Sequence, residues 1–381
     1  MQVLEFIWID MKTLFNKKYH KRKGAMAILF VISLGFVSFI IALQFLKESR
    51  IKYGLARTTA DGFKAKLIAQ AGLQAAISAV QTVPEEFLFQ SGYTHNPPDI
   101  LLENCKPKCF ISYRIQPENG KINLNDLLRA DGRPSLETRQ ILERFFVHYN
   151  IPVQTVDSII DWIDEDNSIE GAGAESEFYK TLKPPRKIKN YYLFSLSELC
   201  AVRGLSYPIL YHSHMPEGWL ELQEELSFKT DVEKEMITEA DWIPANHLTA
   251  YVDQTSLGFQ KININAARYH VLLSLSDSMT PEAVKEIITL RRKRDNYISK
   301  VSELSDLPEL QVSTPDGKSL YEELAGSAGE LSGLITTKGK IYRITGIGSI
   351  IMDSDNNKAV VRSMSVLYDT ASKKIIQYSE D

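Results

Sequence analysis

Twenty-two consecutive residues, Ala25 to Leu46, carry no charge. As a helix rising about 1.5 Å per residue they reach roughly 33 Å, enough to cross a hydrocarbon core of about 30 Å. In hydrocarbon a segment must satisfy its backbone polar groups internally, so a helix is the form open to it. Lys21, Arg22, Lys23 and Gly24 stand in front of the run, and Lys47, Glu48 and Arg50 follow it. A cleaved secretory signal would have a shorter apolar region ending in a small-x-small site, whereas here the small residue comes first. Basic residues flank the span almost equally, so the positive-inside bias does not set its orientation. A plain signal anchor that happens to follow a glycine fits the same residues.

The chain has 381 residues, 44% of them apolar, and the part beyond the anchor is long enough to bury a substantial core or two. The net charge is −4, with no long basic stripe beyond the N-terminal segment, so the electrostatic footprint of a nucleic-acid binder is missing. Of three cysteines, Cys105 and Cys109 are open to two readings, a small disulfide loop or two buried thiols. With no nearby His pair they do not make a zinc site. No nucleophile elbow, metalloprotease helix or phosphate loop occurs, which argues against an enzyme.

After the span, Ile51, Leu55, Ala65, Ala69, Leu73, Ala76 and Val80 recur at mostly helical steps up to Pro84, although Gly54, Gly62 and Gly72 weaken the pattern. Residues 85–108 read as loop, and Phe110 to Ile115 alternates like a strand before a turn over Pro117 to Gly120. Two segments then echo one another. Lys121-Ile-Asn-Leu-Asn leads to helices over Leu136–Val147 and Thr155–Ile163 and ends at Ser197-Glu-Leu199. Lys261-Ile-Asn-Ile-Asn leads to helices over Ala266–Leu275 and Pro281–Arg294 and ends at Ser302-Glu-Leu304. From Ile341 the period changes to two, predicting antiparallel strands over Ile341–Ile351, Ala359–Tyr368 and Lys374–Tyr378.

Carboxylates crowd the end of the Thr155–Ile163 helix. The stretch from Asp161 to Glu177 carries several carboxylates, the oxygen donors a hard cation such as calcium takes. Asp164, Asp166 and Glu175 have EF-hand spacing, but Ile169 stands where that loop needs glycine, so the segment is not an EF-hand; a solvated acidic loop is the competing reading. The turn Asp353 to Asn357 is a second acidic candidate that a hairpin turn explains more simply. The second repeat resembles the helix-hairpin-helix unit of membrane-anchored DNA receptors, the alternative function. Its turn, Ser276 to Thr280, lacks the glycine that lets backbone N–H groups approach a phosphate, and Asp277 would repel one.

The order of these features is similar to one family. Basic cluster, Gly24 and apolar helix resemble a prepilin leader. Gly120 to Leu127, Asp161-Trp-Ile-Asp164-x-Asp166, Gly173-Ala-Glu175 with Tyr179, Ser195 to Leu199 with Val202-Arg-Gly204, and Ile262 to Asn265 complete the resemblance to general secretion pathway protein K, the minor pseudopilin K of type II secretion systems. It implies an α+β, type IV pilin-like fold with a long N-terminal transmembrane helix and antiparallel sheet, plus a large inserted helical domain. The expected divisions are leader 1–24, transmembrane helix 25–46, stalk helix and first strand 47–120, helical insertion 121–310 with helix-hairpin-helix or SAM-like repeats at 121–205 and 261–310, and C-terminal sheet 311–381. It implies cleavage between Gly24 and Ala25 by a prepilin peptidase, with methylation of the new amine, and a single-pass protein of the bacterial inner membrane with its C-terminal domain in the periplasm. The partners implied are minor pseudopilins I and J and the major pseudopilin, with no nucleic acid, at the tip of a pseudopilus that aids protein export. The family also implies bound calcium, with ligands drawn from Asp161, Asp164, Asp166 and Glu175. Leu29, at the fifth mature position where most pilins have Glu, fits a tip subunit. Departures from the family pattern are the long leader, the basic stretch Arg186 to Asn190, and a glycine-flanked loop from Gly326 to Gly333.

Overall fold

The computed structural model describes residues 23–89, 94–103, 105–106, 108–217, 237–252, 259–294, 297–326, 333–351 and 359–380. Leader residues 1–22, the acidic turn 353–357 and loop residues 327–332 lie outside the described residues. The chain forms two compact units, divided between Phe63 and Lys64. In chain order the helices are α1 (Lys23–Thr82), α2 (Glu85–Leu88), α3 (Leu136–His148), α4 (Thr155–Ile163), α5 (Ser176–Thr181), α6 (Tyr207–Tyr211), α7 (Tyr269–Leu273), α8 (Pro281–Lys293) and α9 (Leu320–Ala325). The strands are β1 (Ile100–Leu102), β2 (Cys109–Pro117), β3 (Ile122–Asn123), β4 (Leu248–Thr249), β5 (Ile262–Asn263), β6 (Ile335–Thr336), β7 (Ile341–Ile351), β8 (Ala359–Asp369) and β9 (Lys374–Glu380). Several short 3-10 turns complete the helical part.

In the first unit the described part of α1 is long and apolar enough to cross a membrane, and none of its apolar window is buried. Leu29, Phe36 and Phe45 are each about two-thirds exposed, as side chains that face lipid would be. In the second unit, residues 65–76 of α1 cover an antiparallel sheet of order β1-β2-β7-β8-β9. The face they bury is narrow and small, made of Ala65, Ala69 and Ala76 with Leu73. Gly72 and Gly346 bring the two backbones together: a Cβ on Gly346 would overlap the Ala69 carbonyl and the Leu73 amide, and one on Gly72 would stand 2.7 Å from the Ser112 carbonyl oxygen. Gly72, which weakens the helix signal in sequence, is thus required by packing. Ile115, Ile344, Val366, Tyr342 and Tyr368 fill the sheet side of this core. Cys105 and Cys109 form a disulfide at the start of β2.

Two sequence expectations shift. The stretch 85–108 is not all loop, because Glu85 to Leu88 forms a helical turn and Ile100 to Leu102 pairs with β2. The segment 311–336 belongs to the helical part rather than the sheet: Leu320, Leu324 and Ile335 lie in its core, and the sheet resumes only at Ile341.

Between β2 and β7 the chain builds a large separate core. Its two halves repeat one device. β3 pairs in parallel with β4, and β5 in parallel with β6. In the first half the Asn125 amide donates to the carbonyls of Leu193 and Tyr251 and its oxygen accepts from the Leu193 N–H. In the second, the Asn265 amide donates to the carbonyls of Ile298 and Thr337 and its oxygen accepts from the Ile298 N–H. Glu198 and Glu303 close the pattern by accepting from paired backbone amides at 194–195 and 299–300.

The same core holds an unusual aromatic group. The His270 ring lies 4.7 Å from that of Trp242, 5.2 Å from Tyr149 and 5.9 Å from His247. Both His270 ring nitrogens are buried without a hydrogen-bond partner. Burial, reinforced by His247 and His148, pulls His270 from 6.5 down to about 3.

Two outcomes follow from this packing. Gly346→Ala should cost about 1–3 kcal/mol in urea unfolding, because the methyl meets helix backbone that has no room to yield; Gly54→Ala, where a Cβ meets nothing within 4 Å, should not destabilise. For His270 the folded value is depressed below the unfolded one, so its stability contribution is intact above about pH 6.5 and is lost as pH falls towards 3. At pH 4 that loss is about 3 kcal/mol. The difference in melting temperature between wild type and His270→Phe should therefore change steadily from pH 7 to pH 4 in the direction of a relatively more stable variant; a constant difference would mean that the imidazole titrates in the fold as it does in the unfolded chain.

Candidate metal centre

Helix α4 is buried along its whole length. On such a helix, positions four and seven apart share a face, so Asp157, Asp161 and Asp164 form one acidic edge. Asp161 has no exposed surface. The helix stops at Asp164, whose backbone turns extended at φ −73 and ψ 166. The chain then loops back and re-enters helix at α5, with Glu175 as its N-cap, accepting from the Ser176 N–H at 3.1 Å.

This return brings three carboxylates together. Asp161, Asp164 and Glu175 each offer an oxygen within 4.8 Å of the other two. The buried oxygens Asp161 Oδ2, Asp164 Oδ1 and Glu175 Oε1 have no hydrogen-bond donor. At an effective dielectric near 20, two ionised groups at that separation repel by roughly 3 kcal/mol. Burial, then neighbouring carboxylates, push Asp161 up to about 6, against opposing backbone hydrogen bonds from Glu170 and Ala174. Burial, then Asp166 and Glu175, push Asp164 up to about 7. Glu175 is raised chiefly by burial. Asp166, grouped with these three in sequence, is exposed and stays outside: its Oδ1 accepts from the Ser168 N–H at 2.6 Å, and Asn190 Nδ2 donates to its carbonyl.

The surrounding residues hold the loop closed around the carboxylates. Asp161 Oδ1 accepts from the Glu170 N–H at 2.8 Å, and Asp157 Oδ2 from the Ala172 N–H at 2.9 Å. Arg139 reaches from α3 to pair with Asp157, Glu143 and Glu170. Arg203 Nη1 donates to the Gly173 carbonyl at 3.0 Å, and its own N–H donates to the Tyr179 hydroxyl. Gly173 is obligatory, since a Cβ there would fall on Asp161 Oδ2. Sequence reasoning missed Asp157, Arg139 and Arg203. Asp157, four residues before Asp161 on one helix, was accessible from spacing; the two arginines come from distant segments, and Arg203 entered the sequence reading only as part of Val202-Arg-Gly204.

The donor set suits a hard, oxygen-seeking cation. Calcium takes six to eight oxygens at 2.3–2.6 Å from carboxylates, backbone carbonyls and water on a flexible frame. Zinc would demand nitrogen or sulfur donors, and the cluster contains none. In the second repeat, Arg144 draws the carbonyls of Ser274 and Leu275 and pairs with Asp277, so that turn offers carbonyls and a carboxylate rather than the N–H groups a phosphate needs.

Known proteins match this region. The family model for type II secretion system protein K, first domain, matches residues 120–212, which contain the carboxylate loop. Type II secretion system protein K of Aeromonas hydrophila is 37% identical over 82 residues, covering 21% of this chain and 25% of that protein. A putative type II secretion system protein K of Escherichia coli K12 is 36% identical over 156 residues, 39% of this chain and 45% of the relative. The chain thus spans between a quarter and half the length of these curated relatives. A chain in the crystal structure of the GspK-GspI-GspJ complex from the enterotoxigenic Escherichia coli Type 2 Secretion System superposes with TM-score 0.53 at 15% identity, covering 86% of this chain and 99% of that one, a likeness of fold. Residues 120–212 thus match the first domain of type II secretion system protein K, in a chain whose α+β fold is like that of a subunit from that complex.

Proposed function

We propose that this chain is a non-enzymatic minor pseudopilin of type II secretion, held in the inner membrane by residues 25–46 with its C-terminal domain in the periplasm. There it assembles with minor pseudopilins I and J at the tip of the pseudopilus, above the major pseudopilin, and binds calcium through Asp161, Asp164 and Glu175. The observation that carries the reading is the presence, in one chain, of a match to the protein K family model, a helix of membrane-spanning length and apolarity, and an antiparallel sheet. Leu29 at the fifth position after Gly24 supports the tip placement, because it leaves no carboxylate to pair with the N-terminal amine of a subunit ahead. For calcium, the support is three buried carboxylate oxygens without donors, the arrangement a cation would relieve.

Expressed with its own secretion genes in cells that contain prepilin peptidase, the chain should be recovered from membranes beginning at a methylated Ala25 and should bring pseudopilins I and J with it. An intact Met1, or purification without other pseudopilins, would refute the assembly reading. Salt-sensitive micromolar DNA binding by the same preparation would favour the receptor instead.

Calcium at a hundredfold excess over Kd should stabilise the folded chain by about 2.7 kcal/mol. Magnesium should do much less, since it holds its waters and requires a tighter octahedron. Asp161→Asn or Asp164→Asn should abolish the calcium shift in melting temperature, while Asp166→Ala should keep it. Because folding raises the Asp161 and Asp164 values towards 6 and 7, the chelated protein should lose stability as pH rises through that window. The calcium increment should therefore be larger at pH 7.5 than at pH 5.5. Equal melting in calcium and in chelator at pH 7.5 would leave the loop as an acidic turn.

A further inference from the structure

Behind the carboxylate loop, α5, the segment after it and the turn 201–204 enclose a recess of about 270 Å³. Its apolar lining comes from Phe178, Leu182 and Val202, the last only 2% exposed. Three cations also line it, Lys183, Arg186 and Arg203. Two of them are fixed in place. Arg186 donates its backbone N–H to the Tyr179 carbonyl at 3.0 Å and Nη1 to the Ala201 carbonyl at 3.1 Å. Arg203 lies over the Phe178 ring, 5.0 Å from its centroid, with Nη1 on the Gly173 carbonyl. Each guanidinium has five N–H donors and spends one side-chain donor on these contacts. Among the described residues no carboxylate pairs with any of the three.

Elsewhere in the chain the concentrated cations are matched: Arg139 by three carboxylates, Arg343 and Lys121 by Glu118, Lys189 by Glu198. Positive charge gathered without a counter-ion around a concave apolar surface calls for a ligand with an apolar stem and an anionic end. We propose that this recess receives a glutamate or aspartate side chain presented by an acidic segment of a partner protein. Planar guanidinium groups match a carboxylate with paired hydrogen bonds, and the aromatic wall packs against the methylene stem. A bare phosphate would meet the cations and leave the apolar wall unused. At about 270 Å³ the recess is smaller than usual small-molecule pockets, a size suited to one side chain. The inference depends on neither the secretion assignment nor calcium, since the recess and its cations are features of this chain alone.

The test uses the full chain in detergent, in calcium-containing buffer, and fluorescence anisotropy with two labelled peptides, acetyl-SLEELS-amide and acetyl-SLQQLS-amide. The glutamyl peptide should bind at least about tenfold more tightly, lose affinity with added salt, and lose about tenfold more with Arg186→Gln, since that removes a charge-assisted hydrogen bond to the carboxylate. Lys183→Gln, at an exposed residue whose side chain bonds to none of the described residues, should weaken binding in the same sense and keeps the test valid if Arg186→Gln unfolds. Equal binding of the two peptides, no response to either variant, or inorganic phosphate competing as well as the glutamyl peptide would overturn the proposal.

Discussion

Everything beyond the sheet depends on one closure. β2 and β7 are hydrogen-bonded neighbours, yet the chain leaves at Pro117 and does not return until Ile341. Residues 118 and 119 bind both ends of this excursion together. Asn119 Oδ1 accepts from the N–H groups of Lys340 and Ile341, and Glu118, wholly buried, binds Arg343 at 2.7 Å and Lys121 at 3.0 Å. Burial alone would raise the Glu118 value, but the two cations pull it down to about 2. Because loop-closure entropy grows only logarithmically with length, a long insertion costs little more than a short one once such a junction exists. Removing one partner of a buried pair of this kind costs about 3–5 kcal/mol.

The junction also ties the insertion to the sheet. The Asn119 carbonyl accepts from the Asn263 N–H at the start of the second repeat, and Glu85 accepts from Gly339, Asn263 and Tyr297. The helical part is thus tied to the sheet by polar contacts at this junction, by Tyr251 packed with Ile341 and Leu367, and by Gln377 donating to the Phe194 carbonyl, and otherwise folds around its own apolar core. That separation lets it carry the carboxylate loop without disturbing the register of β2 on β7.

Periodicity made the regular parts legible. The α4 helix and β7 match the alternation of their sequence from end to end, and Pro84 marks where α1 has stopped. Elements that owe their form to distant partners were not legible. β1 is three residues long and exists because β2 offers an edge, and the two-residue parallel pairs are set by side-chain amides from remote positions. In the acidic stretch, composition pointed to the loop where three carboxylates come together. Which oxygens meet was decided by the helix end at Asp164 and the Asx turn at Asp166, and that turn moved Asp166 out of a group its spacing had placed it in.

The paired asparagine devices differ in one respect. Asn125 reaches across 68 residues of sequence to Leu193, whereas Asn265 reaches across 33 to Ile298. The bonds at the two ends are the same; what they enclose is not. The longer span contains α3, α4, the carboxylate loop and α5, while the shorter one contains little beyond α7 and α8. An asparagine that ties its own backbone frame shut is indifferent to the length of chain stored between its contacts. The first half is in effect a frame with a tolerant opening that holds the carboxylate loop, and the second half shows the same frame closed on a much shorter stretch.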